Sequence, residues 1–112
     1  MIEATAAAYG ARADFAYSRN YPVTVNTAAE TAFATGVAIE VAGEARVDPA
    51  VAPVMGAEDF SFMLNARPGA FILMGNGDTA NLHHPAYDFN DDAIPVGCSY
   101  WARLVETAMP AS

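Results

Sequence analysis

Cysteine is almost missing from this sequence: Cys98 stands alone. No disulfide can form within the chain, and a single thiol favours a reducing compartment. Basic residues are scarce, 5 against 13 acidic ones, which leaves a formal net charge of −8. Such a balance repels DNA and RNA, and no basic stripe offsets it. No apolar run approaches the ~20 residues that span a bilayer. The opening residues Met1-Ile2-Glu3-Ala4-Thr5 lack the basic-then-apolar order of a signal peptide. The expectation is a cytoplasmic protein that binds neither nucleic acid nor membrane. Metal signatures are missing as well: there is no His-Glu-x-x-His, no cysteine pair and no Glu-Glu pair. A catalytic zinc needs three protein ligands, so no complete metal site is expected within these residues.

What is abundant is apolar side chain. Hydrophobic residues make up 54% of the 112 residues and charged ones 16%, enough for one small domain with a buried core. That apolar share is high for so small a body, so part of the surface is expected to be covered by further polypeptide or by a partner.

Glu3 to Tyr9 is alanine-rich and stops at Gly10, as the last turns of a helix would. Nothing caps its start, which suggests a chain cut from something longer. Ala13, Phe15 and Tyr17 then alternate with Arg12, Asp14 and Ser18 from Ala11 onward, the period of a half-buried strand. Thr27-Ala28-Ala29-Glu30 fits a capping box. It opens a helix whose inner stripe is predicted to be Ala29, Phe33, Val37 and Val41, with Ala32 and Gly36 beside it and Gly43 at its end.

Ala45 to Val54 reads as a short strand and an irregular connection, and Glu58 to Asn65 as a short helix stopped by Arg67-Pro68-Gly69. Phe71-Ile72-Leu73-Met74, bounded by glycines, predicts a strand buried on both faces. A polar loop follows. The last helix is expected from about Asp91 or Ile94 to Met109, with Ile94, Cys98, Trp101, Val105 and Ala108 turned inward. The alternation of helices and strands predicts an α/β fold, a sheet with helices packed on it.

The chemically richest stretch is Leu82-His83-His84-Pro85-Ala86-Tyr87-Asp88-Phe89-Asn90, which holds both histidines just after the buried apolar run. Loops beyond the carboxyl ends of strands are where α/β folds gather ligand sites. Neutral imidazole is both a metal ligand and a proton shuttle; the plain alternative is a loop whose histidines cap backbone groups. Gly56-Ala57-Glu58-Asp59-Phe60 is a second candidate. Small residues before a helix let its amides approach a carboxylate or a carbonyl, or they simply make a tight turn. Cys98 and Trp101 read as core.

Taken in order, Val54-Met55-Gly56-Ala57-Glu58-Asp59-Phe60-Ser61-Phe62, Arg67-Pro68-Gly69-Ala70-Phe71, Gly75-Asn76-Gly77, the His83 loop through Asp91, and Ile94-Pro95-Val96-Gly97 form an ordered motif set. The set resembles the end of the hippurate hydrolases and related N-acyl-amino-acid amidohydrolases, within the aminoacylase and carboxypeptidase group of metallohydrolases. The resemblance covers nearly the whole chain.

It implies the C-terminal part of a zinc-peptidase-like αβα catalytic domain over residues 26–112. Residues 1–25 would be the last helix and strand of an α+β lid domain that also dimerises, so a homodimer is expected of the complete enzyme. In such enzymes water, activated at a pair of divalent metals with a glutamate as general base, attacks the amide carbonyl of an N-acyl amino acid. Zinc or manganese would serve, two per complete site. The resemblance implies that His83 is a metal ligand and that Gly56, Ala57 and Glu58 line the substrate cleft; His84 stands where relatives often carry serine. No catalytic residue is assigned within these 112 positions. The chain alone is expected to bind metal weakly and to lack turnover, and the alternative is a non-catalytic dimerisation or ligand-binding module descended from the enzyme.

Overall fold

A computed structural model describes residues 1–111. It contains four α-helices, α1 (Ile2–Ala8), α2 (Ala28–Ala42), α3 (Phe60–Ala66) and α4 (Ala93–Ala108), and a 3-10 turn at Glu44–Arg46. The radius of gyration is 20.2 Å and the longest dimension 70 Å. A compact chain of this length would have a radius near ~13 Å. The molecule is therefore elongated, and most of its apolar side chains meet water.

α2 and α4 pack against each other and form what core there is. Its buried apolar members are Ala34, Val37, Ala93 and Tyr100, with Val37 only 2% exposed. Small residues at this contact let two helix backbones come close. Burial raises the pKa of the Tyr100 phenol, and the Trp101 ring meets it edge-on with centroids 5.4 Å apart. At the exposed end of the contact, Arg103 Nε donates to Glu40 Oε2 at 2.7 Å.

The helix bounds follow the sequence closely, but the inward faces do not. On α2 the predicted stripe is right at Val37 and wrong at Ala29, Ala32, Phe33 and Gly36, which are exposed. On α4 the predicted inner residues Ile94, Cys98, Trp101, Val105 and Ala108 all face solvent. Ala93, Gly97, Tyr100 and Leu104 turn inward instead. Both helices carry apolar side chains on more than one face, and each has too few neighbours to cover them all. α2 is apolar nearly all round, the pattern of a helix buried on several sides.

No β-strand is present among the described residues, so the expected α/β layering is not seen. A ladder requires a neighbour, because a strand satisfies its amides and carbonyls only across a pair. Residues 11–18 run irregularly, although Phe15 and Tyr17, expected on one face, stack on each other at 6.3 Å. Ile72, Leu73 and Met74 are exposed, Leu73 by 62%.

Two side chains stand in for the absent neighbour at the start of that run. Asn26 Nδ2 donates to Phe71 O, and Phe71 N–H donates to Asn26 Oδ1, both at 2.8 Å. Thr27 Oγ1 donates to Gly69 O at 2.9 Å and accepts from Gly69 N–H at 2.8 Å.

The predicted capping box is thereby corrected: the Thr27 hydroxyl is committed to Gly69 and makes no cap bond to its own helix. Thr27→Ala removes both hydroxyl bonds and should cost about 1–2 kcal/mol, read as a lower urea midpoint. Thr27→Ser, which keeps the hydroxyl, should stay within about 0.5 kcal/mol of the parent; an equal loss in both variants would mean that the methyl group, not the hydrogen bonds, matters.

Candidate functional site

The polar loop between the apolar run and α4 is built from two consecutive turns. In the first, His84 N–H donates to Asn81 O at 3.1 Å. His83 occupies the third position of that turn with φ +67°, the one non-glycine residue among those described with a positive φ. A type II turn demands this value at its third position and usually finds glycine or asparagine there. A side chain in the left-handed region costs roughly 1–2 kcal/mol. Such strain concentrates at functional sites, where the rest of the structure over-determines it.

In the second turn Tyr87 N–H donates to His84 O at 2.9 Å, with Pro85 at the second position that its fixed φ suits. His84 Nδ1 accepts the Ala86 N–H at 3.1 Å. The neutral His84 ring is therefore the Nε2–H tautomer, with its Nδ1 lone pair occupied. His83 is exposed, and no hydrogen bond occupies its ring among the described residues. Of the two imidazoles, His83 is the one free to coordinate.

The base of the loop is held by side chains. Asn76 Nδ2 donates to Asp88 O at 2.7 Å, and Asn90 N–H donates to Asn76 Oδ1 at 2.8 Å. Thr79 Oγ1 makes two longer bonds of 3.3 Å, to the carbonyl and from the amide of Asp88. Asn90 in turn accepts from Asp92 N–H through its own Oδ1 and from Ala93 N–H through its carbonyl, so the loop is anchored at the first turn of α4. Gly77 has φ +84°, and a Cβ there would lie 3.3 Å from Asn90 Nδ2. These polar groups border an open recess of ≈ 420 Å³. Thr79 is the site residue that sequence reading overlooks, and Asn76, quoted within the Gly75-Asn76-Gly77 motif, is given no role of its own there.

Gly56 and Ala57 are exposed and Glu58 is half-buried. The Glu58 carboxylate accepts the Phe60 N–H at 3.1 Å, and its carbonyl accepts the Ser61 hydroxyl at 2.6 Å and the Ser61 amide at 3.2 Å. Ser61 is fully buried by this arrangement. Glu58 thus fastens the start of α3, a role compatible with offering Gly56 and Ala57 backbone to a ligand. No hydrogen bond among the described residues joins this segment to the His83 loop, and α3 does not pack on α4.

Among the described residues no group of three His, Cys, Asp or Glu side chains is placed to hold a metal ion. The donor set fits a metal only as a single contributed imidazole, short of the three protein ligands of a catalytic centre. Nor is any helix among them long and apolar enough to cross a membrane.

Comparison with known proteins bears on the same segments. No solved structure matches the chain. Hippurate hydrolase of Campylobacter jejuni is 35% identical over 83 residues, which is 74% of this chain and 22% of that protein. N-acetylcysteine deacetylase of Bacillus subtilis is 33% identical over 104 residues, 93% of this chain and 27% of that protein. An IAA-amino acid hydrolase, ILR1-like 2 of Arabidopsis thaliana, is 42% identical over 57 residues, 47% of this chain and 13% of that protein. The chain thus spans about a quarter or less of the length of these relatives. Peptidase family M20/M25/M40 matches across residues 4–107. The His83 loop, the Gly56–Glu58 turn, α2 and all of α4 but Ala108 lie inside that match, and the chain belongs to this hydrolase family.

Proposed function

We propose that this chain supplies one metal ligand, His83, and a substrate-facing turn, Gly56-Ala57-Glu58, to a metal-dependent amidohydrolase acting on N-acyl amino acids. The observation that carries the reading is the pairing of strain with availability. His83 is exposed, unbonded at its ring among the described residues, and held at φ +67°, a conformation more often given to glycine at that position and one that collects at functional sites. The relatives named as hydrolases of hippurate, N-acetylcysteine and indole-acetyl amino acids share an amide bond between an acyl group and an amino acid as the site of attack. That bond class is the proposed substrate.

The other ligands would come from polypeptide outside these residues, as would the general base. Divalent metal, zinc or manganese, would supply a nucleophilic water at neutral pH when bound. On this side of the centre, His83 would offer neutral imidazole, and the exposed Gly56 and Ala57 backbone would face the substrate, since the first amides of α3 are already bonded within the segment. The αβα layering belongs to the same proposal: residues 71–74 become a strand when neighbouring strands are present. So do a lid segment over residues 1–25, a homodimer of the complete enzyme and a cytoplasmic location.

The test is a chimera in which residues 4–107 replace the matching stretch of the Bacillus N-acetylcysteine deacetylase. The chimera is expected to release free amino acid from N-acyl substrates, to stop when chelated and to recover with zinc or manganese. The isolated chain with the same metals should release none. A folded chimera without metal-dependent turnover, or clear turnover by the isolated chain, would overturn the reading.

A further inference from the structure

The His83 loop must hold a strained residue at an exposed tip, yet its two turns are local and individually weak. A type II turn with histidine in its third position relaxes unless something fixes the ends of the loop. Among the described residues, the side-chain hydrogen bonds that reach across the loop come from two residues. Asn76 makes bonds of 2.7 and 2.8 Å that reach 12 and 14 positions along the chain. Thr79 makes bonds of 3.3 Å that reach 9 positions, near the upper limit for a hydroxyl bond.

Asn76 uses both ends of its amide at once. The NH2 group takes the Asp88 carbonyl and the oxygen takes the Asn90 amide. This bidentate grip copies the backbone pairing of two adjacent strands. It closes a compact surface loop at its neck and ties it to α4 through Asn90. Asn76 is also half-buried where the tip of the loop is exposed.

We propose that Asn76 is the positioning residue of the His83 loop: its side-chain amide closes the loop neck and thereby holds His83 in the left-handed conformation that presents its ring. The inference rests on the proposed role of His83 only for its consequence; the clasp itself is a statement about the chain alone. Among the described residues no other side-chain amide bonds across the loop neck.

The experiment uses the full chain in solution, with Asn76→Ala, Asn76→Asp and Thr79→Val compared by NMR. Two readouts are taken: exchange of the Asn90 amide hydrogen, and the one-bond Cα–Hα coupling of His83, which reports the sign of φ. In Asn76→Ala the Asn90 amide should exchange about 10-fold faster, the result of losing a hydrogen bond of about 1.4 kcal/mol, and His83 should revert toward negative φ. Amides of α2 and α4 should keep their parent rates, which separates a loosened loop from an unfolded chain. Asn76→Asp retains the acceptor for Asn90 N–H but loses the donor to Asp88, so it should fall between parent and alanine variant. Thr79→Val should change exchange less than about 3-fold.

The proposal is overturned if His83 keeps its positive φ in Asn76→Ala, or if Thr79→Val loosens the loop as much. It stands if the clasp behaves as described while His83→Ala leaves the chimera active. In that case the assignment of His83 as ligand fails, and the role of Asn76 in shaping the loop does not.

Discussion

His83→Gly should raise the stability of the isolated chain and destroy the activity of the chimera. Glycine reaches positive φ without a Cβ penalty, so relief of strain at that turn should add up to about 1 kcal/mol. The gain appears as a higher urea midpoint with an unchanged slope. In the chimera, loss of the imidazole should lower metal-dependent deacylation by ~100-fold or more. Loss of groups that only orient a ligand already costs 10- to 100-fold. The two signs together are the diagnostic. A side chain kept for packing would lose stability when removed, and a side chain kept for nothing would lose neither. If the glycine variant is less stable than the parent, the turn is not strained. If it is fully active in the chimera, His83 is not a ligand.

Tyr100→Ala should have the largest effect on folding. Tyr100 is one of only four buried apolar residues among those described, and its ring also carries the edge-on contact with Trp101. Truncating a buried aromatic costs about 3–5 kcal/mol. A typical domain has about 5–15 kcal/mol to lose, and a chain with so little buried surface sits at the low end. Far-ultraviolet circular dichroism of the variant should therefore show α2 and α4 largely lost at room temperature. Tyr100→Phe keeps the ring and should remain folded. Retention of full helical signal in the alanine variant would mean that the α2–α4 contact does not depend on this ring.

The helices were legible in the sequence because their signals are local. Thr27, Gly43, the Arg67-Pro68-Gly69 stop and the expected start of α4 at about Asp91 or Ile94 place element ends within a residue or two of those observed. The inward faces were not legible, for a different reason. A stripe such as Ile94, Cys98, Trp101 and Val105 shows which side of α4 prefers to leave water, and only the neighbours present decide which side does. With α2 alone beside it, the helix buries Ala93 and Tyr100 and leaves Trp101 61% exposed. The expected strands are not formed among the described residues for the same reason. Period-two patterning states a preference for pairing, while pairing itself needs a second strand.

The site was legible in part. The order of residues around His83 and Gly56–Glu58 carries the family signal, and the family match covers both. The turns, the left-handed histidine and the tautomer of His84 were not readable, since each is a choice among backbone states that the residues merely permit. Thr79 was passed over, and Asn76 was given no role beyond its place in the Gly75-Asn76-Gly77 motif, because an amide or hydroxyl can bond to any backbone group that folding brings near. Their partners lie 9 to 14 positions away, beyond the reach of any local rule.

The exposed run at Ile72–Met74 has a consequence for how the molecule behaves in bulk. A short apolar segment with idle amides and carbonyls is a template onto which identical segments can stack, the arrangement that seeds cross-β fibrils. What opposes stacking is mutual repulsion between molecules that each carry −8. That repulsion shrinks as ionic strength rises, and it vanishes as acidity approaches the isoelectric point near 4.3. Colloidal stability in this chain is thus an electrostatic matter: mild acid and high salt are the conditions under which it would leave solution.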